Sequence, residues 1–425
     1  MNANVRLEHQ LLAVESEQSV HAMLELVAPP APAGRERAPL DLVLVIDRSG
    51  SMSGPKLETA KRCAAFLAER LGPKDRLGVV TYDDTVRVMA PLAPVHRQAM
   101  VAAIAGIYAG GSTNLSGGWL KGMELLQSAP AVAGANEGAP GARPKKVLLL
   151  SDGLANVGVT DRGTLVGMSE RARGEGIGTT TIGFGEGFDE DLMSGMADAG
   201  GGRAYFAAVA EDAPGIIAEE FEGLTSLIAQ NLSVEVRPSE KVAVVGVLNE
   251  YPANAVAEGI QVQMGDVFAE DRRRLVLELH VPALATLGAF KVADLVVRYV
   301  SVGEQVEMHE LKVPVMANLV SADEAAAQSA DAEVVEEVVI LKAAKARDEA
   351  TKRADEGDFE AAKAVLASAA DDLRRRAPGS KRAKELLAEA DRLTETTGTM
   401  APAAYDAMAR KANVYGSRNL KRRRT

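Results

Sequence analysis

The most informative residues of this chain are three oxygen-bearing side chains at alternate positions of one short segment. Asp47, Ser49 and Ser51 directly follow the aliphatic run of residues 42–46. Such a run is typical of a strand that is buried on both faces, so these side chains fall in the loop at its carboxyl end. Ligands of open α/β sheets bind at that edge. Carboxylate and hydroxyl oxygens without a nearby His or Cys suit a hard cation, and the segment therefore predicts a Mg²⁺ site.

Two later segments carry further oxygen ligands. Thr113 lies in a glycine-rich loop ahead of a helical pattern over residues 115–127. Asp152 follows a second aliphatic run and precedes Gly153. Because parallel strands end at the same edge of a sheet, we expect Asp152 to join the first three side chains. An alternative remains open, in which the serine hydroxyls only cap the helix that begins near Pro55.

With these residues in this order, the chain resembles the von Willebrand factor A (VWA) family over roughly residues 39–228. The resemblance implies a metal ion-dependent adhesion site that leaves one coordination position open for a partner's carboxylate. It also implies Mg²⁺ as the cofactor, with Mn²⁺ or Ca²⁺ as alternatives. The metal ligands that it implies are Asp47, Ser49, Ser51, Thr113 and Asp152.

Composition narrows the class of protein. The chain has 425 residues, 47% hydrophobic and 25% charged, which is enough for two or three packed domains. Its net charge of −11 argues against a general nucleic-acid binder. The single cysteine, Cys63, excludes a disulfide framework or a structural zinc site. No stretch reads as a signal peptide or a transmembrane segment, and we therefore expect a cytoplasmic protein.

The patterning predicts an α/β fold with additions. Buried strands alternate with helices over residues 39–228, which predicts a doubly wound, mostly parallel sheet; residues 86–89 could form an antiparallel edge strand. Period-two alternation on both flanks predicts an antiparallel β-sandwich, into which this domain is inserted. The predicted parts are a sandwich of residues 1–38 and 229–320, a VWA domain of residues 39–228, a helical region of residues 321–416 and a basic tail of residues 417–425.

The helical region is expected to contain one long helix from Asp323 to about Glu356, a second to about Arg376, and shorter ones after it. Gly357 separates the first two. The basic residues after 417 are expected to be a mobile, solvated end, and the alternative is a docking peptide for an acidic partner, RNA or an anionic surface.

Catalysis has little support in the sequence. None of the five histidines lies in the predicted metal loops, so a Ser-His-Asp triad has no base. Phosphate-binding and nucleophile-elbow motifs are also missing. We therefore interpret the chain as a bacterial-type, non-enzymatic adaptor that binds a protein partner through Mg²⁺. By resemblance to intracellular VWA proteins, that partner would be an AAA-type ATPase. The alternatives are a metal-dependent phosphohydrolase and a scaffold with a purely structural metal.

Overall fold

The chain begins with three strands that belong to a β-sandwich. This computed structural model describes residues 1–30, 39–129, 143–185, 187–301 and 307–421. The first strands are β1 (Asn2–Leu7), β2 (Leu11–Ala13) and β3 (Gln18–Val27). Along β3 the side chains of Val20, Ala22, Leu24 and Leu26 are buried, as the alternating pattern predicts.

An α/β domain follows in which strands and helices alternate. Its elements are β4 (Asp41–Asp47), α1 (Pro55–Arg70), β5 (Arg76–Tyr82), β6 (Val86–Pro94), α2 (Arg97–Ala105), α3 (Leu115–Gln127), β7 (Lys145–Ser151), α4 (Arg162–Gly174), β8 (Ile177–Phe184), α5 (Glu190–Ala199), β9 (Gly201–Ala207) and α6 (Ala213–Thr225). The strands form one sheet in the order β6-β5-β4-β7-β8-β9. All neighbours pair in parallel except β6, which is antiparallel to β5. The predicted doubly wound, mostly parallel sheet with an antiparallel edge strand is therefore confirmed.

Both faces of this sheet are covered. Leu42, Leu44 and Ile46 of the central strand β4 pack with helices α1, α2 and α6. Val43 and Val45 point the other way, into a core built with α3, α4 and α5. Because both faces are apolar, the strand reads as an uninterrupted aliphatic run.

The rest of the sandwich lies after the α/β domain. Its strands are β10 (Leu227–Pro238), β11 (Ala243–Val247), β12 (Ala253–Val256), β13 (Gly259–Phe268), β14 (Arg272–Val281), β15 (Gly288–Ser301) and β16 (Met308–Val320). Two sheets, ordered β1-β3-β14-β11 and β12-β13-β10-β15-β16-β2, share one core. Strand β3 pairs with β14, so that Leu24 lies opposite Leu275. The pairing is antiparallel except between β2 and β16.

The chain enters and leaves the α/β domain at one turn of the sandwich. The carbonyl of Pro29 accepts a hydrogen bond from the amide of Glu270, at 3.1 Å. The carbonyl of Ser226 accepts one from the adjacent residue, Ala269, at 2.7 Å. Residues on either side of the domain therefore lie next to each other in space.

Five helices complete the described chain: α7 (Ala322–Ala327), α8 (Ala332–Asp355), α9 (Phe359–Arg376), α10 (Ala383–Thr399) and α11 (Ala407–Lys421). The expected single helix of residues 323–356 is wrong, because the chain breaks between α7 and α8. Asp331 caps α8 by accepting hydrogen bonds from the amides of Glu333 and Val334. The side chain of Gln328 bonds instead to the backbone of Leu11 in the sandwich.

The last helix also differs from expectation. Helix α11 reaches Lys421, so residues 417–421 of the expected mobile tail are helical, and the Lys421 side chain is buried. Residues 422–425 of that tail lie outside the described residues. None of the helices in the described ranges is long and apolar enough to cross a membrane.

Candidate metal centre

The carboxyl end of the central strand positions Asp47. Strand β4 lies between β5 and β7, and Asp47 is its last residue, fully buried. One carboxylate oxygen, Oδ1, accepts a hydrogen bond from the amide of Ser49 at 2.8 Å. The other, Oδ2, accepts one from the hydroxyl of Ser151 at 2.7 Å. The carboxylate is therefore fixed at the centre of the sheet edge.

The two serines of the first loop face the strand-end aspartate of the neighbouring strand. The hydroxyl oxygens of Ser49 and Ser51 are 3.2 Å apart. The Ser51 hydroxyl donates to Oδ1 of Asp152 at 2.7 Å. Neither serine caps helix α1, whose N-cap is Gly54, and Ser49 makes no side-chain capping bond to the short 3-10 helix Gly50–Met52. The alternative of serines that only cap a helix is therefore wrong.

A second loop brings Thr113 to the same place. The carbonyl of Gly111 accepts a hydrogen bond from Gly50, which joins this loop to the first one. Thr113 is buried beside Gly153, where a Cβ atom would lie 3.0 Å from the threonine hydroxyl oxygen and 3.7 Å from Oδ2 of Asp47. The absence of a side chain at Gly153 therefore leaves room for the threonine hydroxyl and the aspartate carboxylate to approach one another.

Sequence reasoning missed two residues of this cluster. Ser151 donates to Asp47, and the ammonium group of Lys56 lies 2.5 Å from Oδ2 of Asp152. Lys56 is the second residue of helix α1. A lysine there opposes the helix dipole, which was a signal in the sequence that a nearby negative charge requires it.

The electrostatics of the cluster favour a further cation. Burial raises the pKa of Asp47, with a smaller rise from Asp152, while hydrogen bonds from Ser151 and Ser49 oppose the change. The two buried carboxylates face one ammonium group, so the ionised site carries excess negative charge. No group of three or more His, Cys, Asp or Glu residues suited to a metal occurs in the described parts of the chain. The donor set is instead two carboxylates and three hydroxyls, which fits a hard cation such as Mg²⁺.

The rim of the cluster carries exposed apolar side chains. Tyr108, at the start of the threonine loop, is 71% exposed; Leu154, two residues after Asp152, is 57% exposed. Arg48 forms a salt bridge with Asp83 and donates to the carbonyl of Tyr108 at 3.2 Å. The site is therefore a polar centre bordered by solvent-facing apolar groups.

This fold and site define an α/β domain with a hydroxyl-rich oxygen cluster at the carboxyl edge of its sheet. Residues 41–219 match the family model of the von Willebrand factor type A domain. The chain therefore contains a VWA domain, as its motifs indicated. Domains of this family commonly mediate protein–protein interaction.

Relatives and solved structures extend the comparison. An uncharacterised protein of Synechocystis, sll0103, is 27% identical over 311 residues, or 70% of each chain. The E3 ubiquitin-protein ligase WAV3 of Arabidopsis thaliana is 29% identical over 59% of this chain, but only 32% of its own length is matched. A von Willebrand factor type A structure from Catenulispora acidiphila superposes with a TM-score of 0.72 at 16% identity, over 98% of this chain and 96% of that one. That similarity extends over the sandwich and helices as well, and concerns the fold alone.

Proposed function

We propose that this protein is an adaptor that binds a protein partner through a divalent cation in the VWA domain. The observation that carries the proposal is the convergence of Asp47, Ser49, Ser51, Thr113 and Asp152 at one edge of the sheet. These five residues would hold Mg²⁺, with Mn²⁺ or Ca²⁺ as alternatives. When bound, the cation would supply the positive charge to which a partner's carboxylate attaches.

The donor set supports this role because three of its five side chains are neutral. Hydroxyl ligands leave a divalent cation less neutralised than carboxylates do, so an incoming Asp or Glu gains a strong charge-assisted interaction. Ser51 lies on the exposed side of the cluster, whereas Asp47 and Asp152 lie beneath it and are buried. The approach of the partner is therefore from the serine side.

The rim supports a more specific partner. Tyr108 and Leu154 are exposed beside a polar centre, and Val159 is 36% exposed in the loop that follows Asp152. A segment with an acidic residue between apolar residues would place its carboxylate at the centre and its apolar groups on the rim. An AAA-type ATPase that presents such a segment, in a cytoplasmic setting, is the partner we would test first. The resemblance to intracellular VWA proteins suggests it.

A pull-down tests the proposal. Full-length protein is incubated with lysate of its source cells in Mg²⁺ or in chelator, and the affinity of each captured partner is then measured. Asp47→Asn and Thr113→Ala should weaken binding to the level seen in chelator. Ser53→Ala, an exposed serine of the same loop, is the matched control and should bind normally.

Two outcomes would overturn the proposal, and each would support a different function. Equal affinity in Mg²⁺, in chelator and in the Asp47→Asn variant would indicate a scaffold in which any metal is structural. Mg²⁺-dependent turnover of phosphoesters that is lost in the same variant would indicate a phosphohydrolase. We expect no turnover, because the candidate general bases of the cluster are its two carboxylates, and both of them are buried.

A further inference from the structure

The C-terminal helix packs against the loop that supports the metal centre. We call residues 187–189, which lead into helix α5, the Phe188 loop. The ammonium group of Lys411, in helix α11, donates to the carbonyl of Phe188 and lies 3.9 Å from the centroid of its ring. The same ammonium is 3.0 Å from a carboxylate oxygen of Glu190. Lys411 is thus a buried cation that is fully engaged with the start of α5.

Tyr415, one turn further along α11, completes this contact. Its ring stacks on Phe206 of strand β9 at a centroid distance of 5.6 Å, and lies 6.3 Å from the ring of Phe188. Tyr415 is buried within the same core as helices α3, α4 and α5. A residue from the end of the chain is therefore part of the core of the VWA domain.

The Phe188 loop in turn contacts the residues of the metal centre. A Cβ atom on Gly187 would lie 2.6 Å from the carbonyl oxygen of Asp152, so the two backbones are in close contact. The Phe188 ring covers Gly183, where a Cβ atom would lie 2.3 Å from it. Gly183 pairs with Ser151 across strands β8 and β7. The Phe188 loop is therefore in contact with Asp152 directly and with Ser151 through Gly183.

We propose that helix α11 positions the metal centre, with Lys411 and Tyr415 as positioning residues that act through Phe188. The expected loss of metal affinity rests on the proposed function, whereas the expected faster exchange in the Phe188 loop does not. Helix α11 is held from its other side by helix α8 and by the sandwich. The Ser417 hydroxyl donates to the carbonyl of Ala344 at 2.9 Å, and Asn249 donates to the carbonyl of Lys421 at 3.0 Å. Helix α11 thereby couples the helical region and the sandwich to the site.

The test uses two variants of the full chain. Lys411→Met keeps the length of the side chain but removes the charge and the donors, and Tyr415→Leu removes the stacked ring. The matched control is Lys421→Met, a buried lysine of the same helix that pairs with Asp348 rather than with the Phe188 loop. Binding of Mn²⁺ is measured by titration, and amide hydrogen exchange is measured at residues 187–189.

Both Lys411→Met and Tyr415→Leu should exchange faster at residues 187–189 and bind Mn²⁺ about fivefold more weakly, the lower end of usual coupling between sites. Lys421→Met should match the wild type in both measurements. By reciprocity, saturating Mn²⁺ should slow exchange in residues 409–417 of the wild type but not of Asp47→Asn, a response that a merely structural helix would not give.

Failure of this inference differs from failure of the proposed function. A wild type that binds no Mn²⁺ contradicts the metal site, and exchange at residues 187–189 then decides the positioning role by itself. Unchanged exchange in both variants overturns the positioning role, as does unchanged Mn²⁺ affinity when the wild type binds the metal.

Discussion

The ammonium group of Lys56 lies 2.5 Å from Oδ2 of Asp152, while Oδ1 of the same carboxylate accepts a hydrogen bond from Ser51. The aspartate is buried and has a cation of the chain as its partner. Lys56 therefore balances part of the negative charge that would otherwise attract a metal ion.

Replacing Lys56 by Met should tighten binding of Mn²⁺. Removal of a positive charge beside the metal should improve affinity about three- to tenfold, because partly buried charges at this range interact on the order of 1 kcal/mol. Lys61→Met is the control, since Lys61 lies in the same helix but pairs with Glu58. Titration calorimetry measures both variants. Weaker binding by Lys56→Met would instead show that Lys56 holds Asp152 in place for the metal.

Asp47→Asn should stabilise the metal-free protein while abolishing its response to metal. Burial raises the pKa of Asp47 above its ordinary value of 3.8, so the ionised carboxylate destabilises the metal-free fold at neutral pH. The asparagine removes this cost, which is about 1 kcal/mol for each pKa unit. Because the folded-state pKa is the higher one, the advantage of the variant should be small below pH 3.8 and grow as pH rises through the folded pKa.

Urea unfolding measures the free energy of unfolding of the two metal-free proteins across pH. The measurement is then repeated with added Mn²⁺. Only the wild type should gain stability from the metal. A metal-free Asp47→Asn protein that is less stable than the wild type at pH 7 would contradict the assigned cost of burial.

Glu220 should be the main source of acid sensitivity in the VWA domain. Burial opposes its ionisation, but Lys146 and Arg203, together with hydrogen bonds from Thr180 and Tyr205, outweigh burial and lower its pKa to about 2. Its contribution to stability should be complete above pH 4.5 and be lost as pH falls toward 2.

Glu220→Gln should cost about 3 kcal/mol at pH 7, because it leaves the buried Lys146 with only the more distant carboxylate of Asp266, at 4.0 Å. The control is Glu219→Gln, its exposed neighbour, which pairs with Arg203 at the surface and should cost less than about 1 kcal/mol. Unfolding in urea between pH 3 and pH 7 checks both values. A constant difference between wild type and Glu220→Gln over that range would contradict the lowered pKa of Glu220 in the folded state.

The VWA domain, proposed as residues 39–228, should fold when it is excised. Pro29 and Ser226 bond to adjacent residues of one turn, so the segments that flank the domain lie close together, and no strand of its sheet is removed. We expect cooperative thermal unfolding at a lower temperature than in the full chain, since loss of α11 exposes Phe188. Fluorescence of Trp119, the single tryptophan and a buried one, reports the transition. A chain without a cooperative transition would argue against an inserted domain.

Local signals in the sequence were sufficient for much of the fold. The run of residues 42–46 is aliphatic because both faces of β4 are buried. That run predicted the strand and placed Asp47 at its carboxyl end. The features that the sequence did not predict depend on contacts between residues far apart in the chain. The break between α7 and α8 depends on Gln328 bonding to Leu11, which lies 317 residues away in the sequence. Lys421 suggested a solvated, basic end, yet it is buried and pairs with Asp348. Lys411 is likewise buried and pairs with Glu190, and no local pattern could assign either partner.

The most direct test of the proposed metal site is a Mn²⁺ titration of the full-length protein followed by electron paramagnetic resonance. We predict one tightly bound Mn²⁺ for each wild-type chain, displaced by excess Mg²⁺, and none in the Asp47→Asn variant. Ser53→Ala should bind as the wild type does. A wild type that binds no Mn²⁺, or an Asp47→Asn variant that binds it with equal stoichiometry and affinity, would contradict the proposed metal site.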